Sequence, residues 1–137
     1  MNNDEVKIGE YIRSKGGTLG KCIDTRYDFE DGEMCDEFIT IEPWYIGSFK
    51  IPQAQDKSTI VKHSFDLIDV VEVGDVIRLK GEEKLKYEVL KISEDGEQKH
   101  IHIINPFITE GGKDIYIEDI AAIVTKEKFE NDEYEVN

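Results

Sequence analysis

The sequence predicts a mainly β protein made of two tandem, small antiparallel β-barrels of the Src-homology-3-like type. A nine-residue phrase occurs twice, as KIGEYIRSK at 7–15 and as EVGDVIRLK at 72–80. Runs of alternating apolar and polar residues follow each copy, with turns rich in Gly and Asp between them. The two halves also end alike, because KHSFDLIDVVE at 62–72 can be aligned with IEDIAAIVTKE at 117–127.

The repeated phrase is predicted to be the first strand of each barrel. Its glycine, Gly9 or Gly74, is expected to form a tight bend or a bulge where the strand begins. Arg13 and Arg78 are expected to be solvated strand residues whose aliphatic stems cover the barrel, rather than a paired ligand site.

The segments after each phrase have the pattern of half-buried strands. TLGKCIDT and EFITIEP follow the first copy, and KLKYEVLKIS and KHIHIINPF follow the second. The alternation in HIHI at 100–103 is typical of a strand with one buried face. A short helical segment is predicted only near the end, where Thr125 can cap residues 126–133.

Each barrel is expected to close with a single helical turn and a last strand. Ser64 and Asp119 occupy equivalent positions in the aligned endings, and both residue types cap helical turns by accepting a backbone N–H. Closure of five strands into a barrel would remove the exposed sheet edges.

The repeat divides the chain into two domains. Repeat 1 covers 6–71 and carries an aromatic insert at 42–58, repeat 2 covers 72–126, and an acidic C-terminal tail covers 127–137. No Gly/Ser or Pro linker separates the repeats, so we expect them to pack as one rigid body.

Composition restricts the possible functions. The formal charge of −14, from 31 acids and 17 bases, argues against direct binding of nucleic acid, which relies on Lys and Arg. An acidic protein can instead meet a basic surface. Apolar runs are too short for a membrane span, and the N-terminal residues lack the apolar core of a signal peptide. We therefore expect a cytoplasmic protein in which Cys22 and Cys35 are reduced thiols.

The stretch IVKHSFDLIDVVEVGDVIRL at 60–79 resembles a segment of small uncharacterised prophage-type proteins of low-GC Gram-positive bacteria and their phages. Residues 7–21 and 122–130 are similar to the same group, and together these matches cover roughly a third of the chain. The resemblance implies an origin in the bacterial host cytoplasm. It implies no activity, cofactor or catalytic residue.

The aromatic insert is the first candidate binding segment. Trp44, Tyr45 and Phe49 lie close together, with Lys50 beside them. They could form a contact patch, since Trp and Tyr combine a large apolar area with a polar tip. The alternative is an extra strand or flap whose aromatic rings cover the mouth of the barrel.

The acidic stretch YDFEDGEMCDEF at 27–38 is the second candidate. It could be a calcium loop, a patch for a basic partner or the solvated tip of a hairpin. A calcium loop is disfavoured because the acids do not keep the alternating ligand register and no helices flank them. The acids proposed for partner binding are Asp31, Glu33, Asp36 and Glu37.

Metal binding and catalysis have little support in the sequence. His100 and His102 form an HxH pair, but a zinc site needs two further ligands, for which only scattered residues are available. No Gly-rich phosphate loop, GxSxG or HExxH motif is present. In the run Lys62-His63-Ser64, adjacent strand residues diverge and cannot form a nucleophile–base pair. We therefore expect no enzymatic activity, no cofactor and no metal.

Three functions fit these features. The first is a non-enzymatic phage-associated binding protein that engages a bacterial protein, with counter-defence or host takeover as the role the resemblance suggests. The second is a nucleotide-binding or sequestering protein, with cations on the phosphate and an aromatic ring on the base. The third is an acidic mimic of nucleic acid. The candidate binding residues are Trp44, Tyr45, Phe49, Lys50, Lys62, His63, Arg78, Asp31, Glu33, Asp36 and Glu37.

Overall fold

The computed structural model describes residues 5–29, 32–46, 49–95, 98–105, 107, 112–128 and 133–136; the side chains of 43–46, 49–50, 83 and 95 lie outside that description. Met1–Val70 form one compact unit, here unit 1, and Val71–Asn137 form another, unit 2. The protein is mainly β, as predicted, and in the described residues its helical content is limited to three short 3-10 turns.

Unit 1 contains a five-stranded antiparallel sheet in the order β6-β5-β2-β1-β7. A separate two-stranded hairpin, β3–β4, lies between β2 and β5 in the chain. The elements of unit 1 are β1 (Tyr11–Ser14), β2 (Leu19–Asp24), β3 (Tyr27–Asp28), β4 (Met34–Cys35), β5 (Phe38–Ile46), β6 (Phe49–Asp56), η1 (Lys57–Thr59), β7 (Ile60–Ser64) and η2 (Leu67–Val70).

Unit 2 contains a six-stranded antiparallel sheet in the order β11-β10-β9-β8-β12-β13. Its elements are β8 (Val76–Leu79), β9 (Glu82–Asp95), β10 (Gln98–Ile104), β11 (Lys113–Ile115), η3 (Ile117–Asp119), β12 (Ile120–Val124) and β13 (Tyr134–Glu135).

The two units share one topology. The order β6-β5-β2-β1-β7 in unit 1 corresponds strand for strand to β11-β10-β9-β8-β12 in unit 2. The last lysine of the repeated phrase makes an equivalent hydrogen bond in each unit. The backbone N–H of Lys15 donates to the carbonyl of Thr59 (2.8 Å), and that of Lys80 donates to the carbonyl of Asp119 (3.0 Å). These acceptors end η1 and η3, so the two turns are equivalent. Among the described residues neither sheet closes on itself into a barrel.

The ends of the units differ from the sequence alignment. The last strand of unit 1 is β7 at Ile60–Ser64, and the apolar run that follows it forms η2, where Leu67, Ile68 and Val70 are buried. The turn and strand at 57–64 therefore match 117–124, whereas the sequence alignment matched 62–72 with 117–127. Both IVKHS and LIDVV contain β-branched residues, so local propensity could not distinguish the strand from the buried turn.

The predicted helical segment at 126–133 is not present in its described part. Residues 126–127 form a turn after β12, and Tyr134–Glu135 form β13. This strand pairs antiparallel with β12, with Ala122 opposite Glu135 and Ile123 opposite Tyr134. Pairing with an available sheet edge outweighs the weak helix preference of this short acidic segment.

Each unit has its own apolar core. In unit 1, Ile12, Cys22, Ile39 and Ile41 pack together, with Val6 and Ile60 against them. In unit 2 the fully buried apolar side chains come mostly from alternating positions of the central strands, as period-two patterning predicts: Ile77, Val89, Ile101, Ile103, Ile120, Ala122 and Ile123.

Candidate functional site

The glycine of the repeated phrase forms a tight turn before the first strand of each unit, as predicted. Gly9 and Gly74 have φ values of 97° and 98°, a left-handed conformation that favours glycine. The residue after each glycine closes the turn: the N–H of Glu10 donates to the carbonyl of Lys7 (3.0 Å), and that of Asp75 to Glu72 (3.1 Å).

The acid that follows each glycine is buried and fastens this turn. Glu10 accepts the backbone N–H of Lys7 (2.7 Å), and its carboxylate also lies 3.0 Å from Nδ1 of His63. Asp75 accepts the N–H of Glu72 (2.8 Å) and that of Lys126 (3.0 Å). In both units the acid therefore ties the turn to residues near the end of the last strand that the two units share, which is β7 in unit 1 and β12 in unit 2.

The arginines of the repeat differ from the prediction that both are solvated. Arg13 is fully buried, and its Nη1 donates to the carbonyl of Val70 (2.9 Å). Arg78 is half-buried and makes a two-point ion pair with Glu133, with Nε–Oε2 at 3.0 Å and Nη2–Oε1 at 3.1 Å. Each arginine lies on a strand next to the last shared strand and reaches the segment that follows it. The arginines of the repeated phrase therefore have a structural role in both units.

The hairpin β3–β4 is an element of unit 1 that has no counterpart among the described strands of unit 2. It lies between β2 and β5, whose counterparts in unit 2, β9 and β10, are joined within a few residues. In β3–β4, Tyr27 is opposite Cys35 and Asp28 is opposite Met34. The N–H of Phe29 donates to the carbonyl of Glu33 (3.0 Å) across the tip.

Aromatic packing holds this hairpin against the sheet. The ring of Phe29 makes edge contacts with Tyr27 (centroids 5.0 Å apart) and with Phe38 of β5 (5.6 Å). The hydroxyl of Thr40 on β5 donates to the carbonyl of Arg26 at the base of the hairpin (2.7 Å). Contacts of this kind limit the conformations of the hairpin relative to β5.

The hairpin presents exposed apolar groups among exposed acids. Phe29 and Met34 are 38% and 47% exposed. We call this surface the acidic hairpin patch; it consists of Phe29, Met34, Asp28, Glu33, Asp36 and Glu37, whose acids are all exposed. Asp31 lies outside the described residues. The sequence prediction included three of these acids but not the two apolar residues, although both interrupt the acidic run.

The aromatic insert forms one end of the β5–β6 hairpin. Trp44 is opposite Ile51, and Tyr45 is opposite Lys50. The register therefore places the backbone of Phe49 on β6 close to those of Trp44 and Tyr45 on β5. Ile46 pairs with Phe49. The side chains of Trp44, Tyr45, Phe49 and Lys50 lie outside the described residues. The segment 42–58 also supplies β6 and η1, whose places unit 2 fills with β11 and η3.

The remaining candidate residues do not form one site. Lys62 is exposed on β7, whereas its neighbour His63 faces the carboxylate of Glu10. Arg78 belongs to unit 2 and is paired with Glu133. Of these three, only Lys62 presents a largely exposed side chain.

Cys22 and His102 each have a hydrogen-bond partner within the fold. Cys22 is buried and donates to the carbonyl of Asp24 (3.3 Å), and burial raises the pKa of its thiol. His102 contacts Asp114 (2.9 Å). No group of three or more His, Cys, Asp or Glu side chains among the described residues is placed to hold a metal ion. None of the described helices has the length and apolar character needed to cross a membrane.

Comparison of the chain with protein-family models, with curated proteins and with solved structures finds no match.

Proposed function

We propose that this protein is a non-enzymatic binding protein whose partner is a bacterial protein with a basic surface. The observation that carries the proposal is the acidic hairpin patch. The hairpin that carries this patch is inserted into a strand order that both units share. Inserted segments on a shared scaffold are where binding residues tend to lie.

The composition of the patch suits a protein surface. Exposed Phe29 and Met34 supply apolar area, and the surrounding acids supply charge complementarity. Aromatic packing against β5 orders the hairpin before it meets a partner, which lowers the entropic cost of binding. The β5–β6 end, with Trp44 and Tyr45, is proposed as the second part of the contact surface.

The finer fold and origin belong to the same proposal. The shared strand order and the 3-10 turn before the last shared strand support a tandem Src-homology-3-like architecture. The resemblance at 60–79 suggests a phage or prophage protein of the bacterial cytoplasm, with counter-defence or host takeover as its role. The net charge of −14 supports a second candidate, an acidic mimic that occupies the nucleic-acid groove of its partner.

Charge reversal on the hairpin tests the proposal. The double variant Asp36→Lys/Glu37→Lys should lose a bacterial protein that the wild type captures from a host lysate. The matched control Glu88→Lys/Glu94→Lys makes the same charge change at exposed positions of β9 and should retain it. Equal loss in both variants would indicate a general charge effect and contradict a hairpin-specific site.

Salt and ligand measurements separate the candidates. The affinity of a nucleic-acid mimic for its partner should fall steeply as ionic strength rises, whereas the affinity of a contact anchored by apolar groups should fall less steeply. A nucleotide-sequestering protein should instead gain thermal stability when nucleotides are added.

The variant Trp44→Ala distinguishes a contact residue from a packed one. As an interface residue it should weaken binding by about 2 kcal/mol or more at little cost to stability. As a ring that covers the core it should cost roughly 3–5 kcal/mol of stability and leave the binding of folded molecules unchanged. A destabilised variant with full affinity would remove Trp44 from the proposed contact surface.

A further inference from the structure

Strand β13 is an addition to the shared five-stranded topology. In unit 1 the equivalent strand β7 pairs only with β1, and no strand is docked on its other edge in the described part of unit 1. In unit 2 the same edge, on β12, is occupied by residues 133–136. Because unit 1 forms the sheet without a sixth strand, the shared topology does not require one.

The segment 133–136 is held as a bound peptide would be. It adds antiparallel to β12, and the N–H of Val136 donates to the carbonyl of Ala121 (2.8 Å). Main-chain pairing of this kind is how an extended peptide adds to an open sheet edge. The register places Arg78, Ala122 and Glu135 side by side on β8, β12 and β13.

Arg78 supplies side-chain recognition. Its guanidinium binds the carboxylate of Glu133 at two points, the geometry in which Arg selects a carboxylate over other groups. Ala122 lies on β12, between Arg78 on β8 and the segment 133–136, and is a small residue over which a long side chain can pass. The edge of β12 thus provides backbone pairing together with one charge-selective anchor.

We propose that the edge of β12, with Arg78 as its anchor, is a docking site for an extended acidic peptide segment of a partner protein, and that residues 133–136 are its tethered occupant. A partner strand carrying a glutamate in the position of Glu133 takes the same place when it displaces the tethered segment. This inference rests on unit 2 alone and is independent of the acidic hairpin patch.

The test uses the full-length protein and a fluorescein-labelled synthetic peptide with the sequence of residues 131–137, NDEYEVN. The double variant Glu133→Ala/Val136→Pro removes one carboxylate and one N–H that help to hold the segment in place. Fluorescence anisotropy should show that this variant binds the peptide at least about tenfold more tightly than the wild type, whose tethered copy competes at high effective concentration.

Two matched changes test the anchor. Adding Arg78→Ala to the double variant should weaken peptide binding about tenfold, as should replacing the peptide's glutamate at position 133 with glutamine. Adding Lys84→Ala, which removes an exposed cation from β9, should leave binding unchanged.

Three results would overturn the proposal. One is equal peptide affinity in the wild type and the double variant, and another is equal affinity with and without Arg78. The third is loss of the strand signal in circular dichroism of the double variant, because β12 would then need 133–136 to form its sheet.

Discussion

The buried acid of the repeated phrase should matter more in unit 2 than in unit 1. Asp75 is fully buried, and its two carboxylate oxygens accept two backbone N–H groups, from Glu72 and Lys126. Glu10 accepts one backbone N–H, from Lys7, and its second partner is the side chain of His63. The pair Asp75→Asn and Glu10→Gln therefore tests the same chemical change at equivalent positions.

The expected magnitudes follow from these partners. An asparagine at 75 can accept only one N–H and turns its own NH₂ toward the other, so one buried donor loses its partner at about 1–3 kcal/mol. Donor–donor repulsion adds to this loss, whereas removal of a buried charge offsets part of it, and we expect a net cost of about 2 kcal/mol. A glutamine at 10 can accept from Lys7 and donate to a neutral His63, so we expect less than about 1 kcal/mol.

Urea denaturation followed by circular dichroism measures both free energies of unfolding. The single tryptophan, Trp44, lies in unit 1 and gives a second signal that identifies the unit that unfolds. For a domain with about 5–15 kcal/mol of stability, a loss near 2 kcal/mol is readily measured. A Glu10→Gln variant as destabilised as Asp75→Asn would refute the claim that the number of backbone N–H groups held by each acid determines its contribution.

Three further outcomes are expected. Iodoacetamide at pH 8 should alkylate Cys35 well before Cys22 in the native protein, because Cys22 is buried and burial raises the pKa of its thiol; equal rates by mass spectrometry would contradict its burial. Tyr87→Phe should raise the pKa of Glu82 in an NMR titration, because the hydrogen bond from Tyr87 is the main cause that lowers this pKa. Since the pKa of Glu82 is lowered in the folded protein, the stability that this group contributes is lost as pH falls. An unchanged pKa in the variant would assign the lowering to another group. Limited proteolysis should spare 68–76, where only the side chain of Val73 is largely exposed; rapid cutting there would show that this boundary is accessible.

Local patterns predicted the features that depend on a few neighbouring residues. The alternation of apolar residues predicted a mainly β protein, since period-two patterning selects strands wherever it occurs. The glycines of the repeated phrase predicted the turns at Gly9 and Gly74, because a left-handed turn favours the same residue in both copies. Ser64 was predicted to cap the turn before the last strand; its hydroxyl does accept the N–H of Asp66 (3.1 Å), but Ser64 ends that strand and the turn at 67–70 follows it.

The sequence by itself therefore determined the class of the fold and the repeat, whereas the tertiary structure decided what the charged residues of the repeat do. Arg13 is buried because the carbonyl of Val70, 57 residues later in the chain, accepts its hydrogen bond. Arg78 is half-buried because Glu133 is brought next to it when β13 pairs with β12. Burial of a charge requires a partner of suitable geometry, and partners this distant are brought together only when the chain folds.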